Sequence, residues 1–401
     1  MSKKIASLVF AYGLKNGGDM AITLGAIQQL LNAGYEVNAY SLFDKKNKEY
    51  EKSKKYLEQL FPEIKVHESP FSLNREGGKF NKLKAYVLGL LTIIGVQKKR
   101  DFYNKIKESD VLYFNGGNLF RSESFTDYTR LLALMYPLKI ARKLNLPYFI
   151  LPQSASTIDS IGRLILKKNL QKAQIVWTRE KTSYNYLKKC IPDINIKSTV
   201  DLAFFIENTP FSNVNNLVSN CSNKRKVAFT IRTQTVGDLK QIDKEKYDQI
   251  VSLIKRSIVT LLKTGSYEVI LIIQTKKDKE VTTSLYEKIS NEFNYIHLIE
   301  EYDALKLINI YKHCDVLLGM RLHSIILALL SGTPAVGYFD ETWGFKNPGL
   351  MNKFNMPYYL ISNDTTDLVA KVQELASNKE IITKQIEKII DEEKNMFTTY
   401  L

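Results

Sequence analysis

Two residues of complementary chemistry, Arg321 and His323, stand one position apart behind a short apolar run that ends at Gly319. A guanidinium grips a carboxylate or phosphate through two parallel hydrogen bonds. An imidazole gives and takes protons near neutral pH. The stretch 314–339 reads as strand, turn, helix, turn, strand. Within it, 321–330 carries Leu322, Ile325, Ile326 and Leu329 at helical spacing, and Ser331-Gly332 followed by Pro334 stops the helix. Arg321 and His323 are therefore expected in the first turn, beyond a strand's C-terminal end, where an open α/β sheet binds ligands. Cations are mildly disfavoured at a helix N-terminus, whereas an anion is favoured there. A bound phosphate or carboxylate accounts for both residues. The alternative is an Arg paired with a neighbouring carboxylate and a His satisfied by backbone.

Other polar residues sit at strand ends. The first strand runs into Asn16-Gly17-Gly18-Asp19, where glycines permit close backbone approach to a ligand. Asp19 can position or deprotonate a hydroxyl, or simply cap the following helix. A second glycine turn, Asn115-Gly116-Gly117-Asn118, ends the strand 110–114, and Gln153 follows the strand 147–151. Asn16, Asn118 and Gln153 have the hydrogen-bonding chemistry for a sugar. Arg179 and Arg232, each at a strand–helix junction, are candidates to join Arg321 on an anion. Of the four histidines only His323 lies on a motif, and His67, His297 and His313 read as surface or structural. No Asp-x-Asp occurs, which argues against a metal-dependent nucleotide-sugar site of the carboxylate-pair kind, and no metal is expected.

Positioning these residues takes two domains, and the 401 residues suffice for that. Strands alternate with helices along both halves, so each half is expected to be a doubly wound, mostly parallel, Rossmann-like α/β domain, with the active site in the cleft between them. The first domain spans 1–205 and contains a basic helical insertion at 44–110, with helices at 49–60 and 79–107. An Asn- and Ser-rich linker covers 206–224, the second domain 225–365, and a helical C-terminus 366–401 packs back on the first domain.

The net charge is +15, yet no nucleic-acid signature appears and the lysines are spread along the chain. Three cysteines without a CxxC pair fit a reducing compartment. The first apolar run is too short for a signal peptide. The expected location is cytoplasmic, with the inner face of the membrane as a variant. The apolar stretch 85–96 falls short of the roughly 20 residues a span needs. It reads as a buried helix or as a peripheral membrane contact flanked by lysines.

The ordered set Asn16-Gly17-Gly18-Asp19 with Ala21-Ile22, Asn115-Gly116-Gly117-Asn118-Leu119, Gln153-Ser154, Arg179-Glu180 with Ser183-Tyr184, Val200-Asp201-Leu202-Ala203, Arg232, and Gly319-Met320-Arg321-Leu322-His323 with Gly332-Thr333-Pro334 resembles the polysaccharide pyruvyl transferase family over most of the chain. The resemblance implies a glycosyltransferase-B-like pair of Rossmann-like domains. It also implies transfer of a pyruvyl group from phosphoenolpyruvate to two sugar hydroxyls, giving a cyclic ketal without a further cofactor. The donor would meet Arg321, Leu322, His323, Arg232 and Arg179, with His323, Arg321 and Asp19 as catalytic residues. The acceptor, free, nucleotide-linked or lipid-linked, would meet Asn16, Gly17, Gly18, Asn115, Gly116, Gly117, Asn118 and Gln153. Two positions depart from the family pattern: Asn115 stands where a third glycine is common, and Glu341 where a lysine is expected. A glycosyltransferase of the same architecture and a non-catalytic glycan- or anion-binding relative are the competing readings.

Overall fold

The structure is a computed structural model describing residues 3–14, 16–71, 87, 100–122, 125–207, 223–235 and 240–401. The chain divides into two compact units, residues 1–207 with 393–401, and residues 208–392. Most of the 79–107 helix, most of the apolar stretch 85–96 and most of the linker 206–224 lie outside the described residues.

Unit 1 begins β1 (Ile5–Ala11), α1 (Gly17–Asn32), β2 (Glu36–Ser41), α2 (Lys48–Leu60), β3 (Lys65–His67) and α3 (Arg100–Lys107). It continues β4 (Val111–Phe114), β5 (Gly117–Ser122), α4 (Phe125–Lys143), β6 (Tyr148–Ile158), α5 (Ser160–Leu170), β7 (Val176–Thr178), α6 (Lys181–Cys190) and β8 (Ile196–Ser198). The strand order is β3-β2-β1-β4-β6-β7-β8 with β5 beside β6, and every pairing is parallel. Because β1 and β4 are neighbours while β2 and β3 lie on the other side of β1, the order reverses between β1 and β4. Ligands enter open sheets at such crossings.

Unit 2 repeats the plan with β9 (Arg225–Thr230), α7 (Lys244–Lys263), β10 (Tyr267–Ile273), α8 (Lys279–Ser290), β11 (Ile296–Glu300), α9 (Ala304–Lys312), β12 (Val316–Gly319), α10 (Leu322–Leu330) and β13 (Ala335–Phe339). It ends with α11 (Lys346–Lys353), β14 (Tyr358–Leu360), α12 (Leu368–Ser377) and α13 (Lys379–Thr398). Its order, β11-β10-β9-β12-β13-β14, reverses between β9 and β12.

The strands are near-continuous apolar runs because both faces of a parallel sheet are covered; all seven residues of β10 are buried. The expected single helix at the C-terminus is two helices, interrupted at Asn378. The last residues of α13 belong to unit 1, where Phe397 and Tyr400 meet the buried Trp177 edge-on at ring separations of 5.2 and 5.6 Å. After β8 the chain forms a 3-10 turn, Leu202–Phe205, capped by the Asp201 carboxylate. Gly25 of α1 lies so close to that turn that a Cβ would stand 1.9 Å from the Leu202 carbonyl oxygen.

Candidate functional site

In unit 2 the crossing between β9 and β12 carries Arg232 on one side and Arg321 on the other. Arg321 is the N-cap residue of α10 rather than a first-turn residue, with extended backbone and no side-chain cap. Leu322 and His323 then occupy the first two helical positions. Ser324, fully buried, donates to the Arg321 carbonyl at 2.7 Å and lies 2.8 Å from the Thr230 hydroxyl. These two bonds fix the helix start to the end of β9.

The Arg321 guanidinium is held from beneath. Its Nε and Nη2 donate to the two oxygens of Asp278, the second at 2.7 Å, and Nη2 also donates to Gln234 Oε1 at 2.9 Å. The Asp278 side chain is 2 % exposed and that of Arg321 11 %. Gln234 is fixed in turn by donating to the Lys277 carbonyl at 2.9 Å. Part of the alternative raised from the sequence is therefore real, since Arg321 has a carboxylate partner. Arg232 follows the end of β9, with its guanidinium 4.3 Å above the buried Trp343 ring and donating to the Thr235 carbonyl at 2.9 Å. Asp278 and Gln234 were not singled out in the sequence. Their only signal was position, just past β10 and β9.

Where a lysine was expected, Glu341 accepts from the Ser362 N–H at 2.9 Å. Beside it Lys246 of α7 donates to both oxygens of buried Asp340 at 3.1 and 2.9 Å and lies 3.9 Å from Glu341.

In unit 1 the crossing between β1 and β4 is a rigid polar construction. Asn16, not Asp19, caps α1, accepting from the Gly18 and Asp19 N–H groups while its amide donates to Asp19 Oδ2 at 2.8 Å. Asp19 is the third helical residue and half-buried. Phe10 adopts φ +66 at an irregularity in the β1–β2 register. Such a bulge redirects the residues after it, here Tyr12, whose phenol donates to the Gly116 carbonyl at 3.0 Å. Burial, and secondarily the Asp19 charge, push the Tyr12 phenol far above its usual range, so it stays neutral. A Cβ on Gly117, at φ +130, would lie 2.2 Å from the Tyr12 oxygen.

Several residues expected at the acceptor prove to be buried supports. Asn115 is fully buried; its amide donates to the Phe10 carbonyl at 3.2 Å and to Thr23 Oγ1 at 3.1 Å, and its oxygen accepts from Gly116 N–H. A glycine there would lack these three side-chain hydrogen bonds. Gln153, also fully buried, donates to the Asn115 carbonyl and accepts from Leu119 N–H at 3.3 Å. Gly116 packs its Cα against the Pro152 carbonyl. Asn118 differs: the residue is partly exposed, but its side-chain oxygen is itself buried and has no hydrogen-bond partner among the described residues.

Arg179, expected on the donor, is buried as well. Its side chain is 5 % exposed, ion-paired to Asp201 and 3.7 Å from Glu180, with Nε donating to Ser154 Oγ at 2.6 Å. Burial alone would lower its pKa, but the Asp201 and Glu180 carboxylates outweigh it and hold the guanidinium charged. Among the described residues no cluster of three or more His, Cys, Asp or Glu could hold a metal ion. No described helix is long and apolar enough to cross a membrane.

The family described as polysaccharide pyruvyl transferase matches residues 16–338. The amylovoran biosynthesis protein AmsJ of Erwinia amylovora is 27 % identical over 124 residues, 30 % of this chain and 29 % of that protein. Among solved structures, the UDP-GlcNAc 2-epimerase of Neisseria meningitidis aligns with a TM-score of 0.58 at 13 % identity, covering 96 % of this chain and 94 % of that one. A glycosyltransferase from Rickettsia africae aligns with a TM-score of 0.58 at 14 % identity, covering 100 % and 97 %. At such identities the likeness is one of fold, the glycosyltransferase-B type with two parallel-sheet α/β domains.

Proposed function

Because the chain belongs to the polysaccharide pyruvyl transferase family, we propose that it moves the pyruvyl group of phosphoenolpyruvate onto two hydroxyls of a sugar in a cell-envelope or exported polysaccharide precursor, forming a cyclic ketal. The observation that carries this reading is the Arg321 guanidinium, fixed by Asp278 and Gln234 at the uncapped entrance of α10. A donor bearing both a carboxylate and a phosphate suits a place where cations and helix N–H groups converge.

In the proposed reaction His323 delivers a proton to the methylene carbon of the enol, and the adjacent carbon becomes oxocarbenium-like. A sugar hydroxyl attacks that carbon and loses its proton to a base, with Asp19 the candidate. The C–O bond to phosphate then breaks, phosphate leaves with the bonding pair, and the second hydroxyl closes the ring as its own proton departs. Arg321 and Arg232 balance the charge that gathers on phosphate. Asn118, with a side-chain oxygen still unsatisfied, is the best-supported acceptor contact of the second glycine turn.

The test is incubation with phosphoenolpyruvate and a panel of hexose acceptors, free and carrier-linked, with phosphate release and ketal product followed together. Release of phosphate that depends on the acceptor supports the assignment. Release of UDP from nucleotide-sugars with no consumption of phosphoenolpyruvate would replace it with glycosyl transfer. Binding of glycan without either turnover would mark a non-catalytic relative.

A further inference from the structure

The basic character of the chain is unevenly distributed. Residues 139–197 hold twelve Lys or Arg against three Asp or Glu. One of those cations and one of those acids, Arg179 and Glu180, are buried together, and a second acid, Asp159, is committed to capping α5 by accepting from Gly162 N–H at 2.8 Å. What remains on the surface is almost wholly positive.

Helix α5 lies within this basic field and has two unlike faces. Gly162, Leu166, Asn169 and Leu170 are buried, and Gly162 approaches Ser122 so closely that no side chain would fit between them. The other face bears Ile161 at 51 % exposure and Leu164 at 70 %, one helical turn apart. Exposed Arg163, Lys167 and Lys168 surround them. Aliphatic side chains on a rigid helix gain nothing from water or from a nucleic-acid backbone. Apolar residues ringed by cations are what a helix lying in the headgroup layer of an anionic bilayer presents.

We propose that the exposed face of α5 docks unit 1 on an anionic lipid surface, with Leu164 and Ile161 entering the headgroup layer and Arg163, Lys167 and Lys168 meeting lipid phosphates. The docking itself does not depend on the reaction proposed above. If that reaction holds, docking has a consequence for it. Helix α5 starts directly after the C-terminal end of β6, and parallel β1 and β4 bring their glycine turns to the same end of the sheet. A sugar held at the membrane by a lipid carrier would then be met by the end of unit 1 that carries Asn118.

Vesicle flotation tests the docking with the full chain and no substrate. Phosphatidylcholine vesicles are compared with vesicles containing phosphatidylglycerol, at low and high salt. Binding is expected to the anionic vesicles and to weaken with salt. Leu164→Glu and the double variant Lys167→Glu/Lys168→Glu should each lower partitioning at least about tenfold. Leu164→Trp should give a blue-shifted emission on vesicle addition, against Trp177 and Trp343, which are 1 % and 3 % exposed. Wild-type binding that survives both charge variants, or no binding at all, overturns the proposal. So does a dimer in sedimentation velocity that Leu164→Glu dissociates, since a second copy would then occupy the face. Phosphate-release activity on a free sugar, measured in parallel, reports on the proposed reaction independently of the vesicle result.

Discussion

Asp278 takes the Arg321 guanidinium with both carboxylate oxygens, one of them at 2.7 Å from Nη2, and does so from a position almost wholly shielded from water. A paired guanidinium has fewer orientations open to it, so less entropy is lost when an anion binds. Asp278→Asn keeps the shape but offers one acceptor oxygen and turns an amide NH2 toward the guanidinium. We expect kcat/KM for phosphoenolpyruvate to fall about ten- to a hundredfold, carried mainly by KM. Steady-state phosphate release over a range of donor concentrations measures the split. An unchanged KM together with a lowered unfolding midpoint would give Asp278 a purely structural role.

His323→Ala is expected to lower kcat by about a hundred- to ten-thousandfold while far-UV circular dichroism and donor affinity by calorimetry stay near wild type. It stands at the second helical position of α10, two residues past the N-cap Arg321. Undiminished turnover would remove proton transfer from its account.

How much of this was legible beforehand depends on whether a residue's job shows in its own neighbourhood. The α/β alternation, the two glycine turns and the Arg321-x-His323 segment are local patterns, and the family match covers the stretch that contains them. Strand neighbours are not local, so the crossings between β1 and β4 and between β9 and β12 emerged only from the sheets. The same limit hides the burial of several polar residues. Asn115, Gln153 and Arg179 looked like ligand contacts because they end strands, yet their partners lie far off in sequence: Phe10 and Thr23 for Asn115, Asn115 for Gln153 and Asp201 for Arg179. Asp278 was passed over for the converse reason, since nothing near it predicts a partner 43 positions away.

Asp201→Ala should destabilise the fold by about 3–5 kcal/mol, because it strands the Arg179 charge in a buried site. The urea midpoint measures this. The paired replacement Arg179→Met/Asp201→Leu should recover only part of the loss, since it removes the Arg179 charge but leaves the Glu180 carboxylate buried without it. Donor affinity in that double variant is expected to match wild type. A large rise in donor KM would restore Arg179 to the donor contacts from which its burial removes it.

His67 sets a pH dependence in unit 1. Its Nε2 lies 3.2 Å from Asn38 Oδ1 and its Nδ1 3.1 Å from Lys105 Nζ. An ammonium can only donate, so Nδ1 accepts and the proton sits on Nε2. Burial first, then the Lys105 charge and other lysines, pull the ring from an ordinary 6.5 down to about 4. The folded state thus resists a proton that the unfolded chain takes up readily below 6.5. This contribution to stability is fully present above that pH and is lost as pH falls toward about 4. His67→Gln keeps both hydrogen bonds, the amide donating to Asn38 and its oxygen accepting from Lys105, but has nothing to titrate. Urea midpoints of wild type and variant, compared at about pH 7.5 and about pH 5, isolate the effect because all other titrating groups are common to both. The variant is expected to gain on wild type at the lower pH, and parallel pH profiles for the two proteins would show that His67 is not the group responsible.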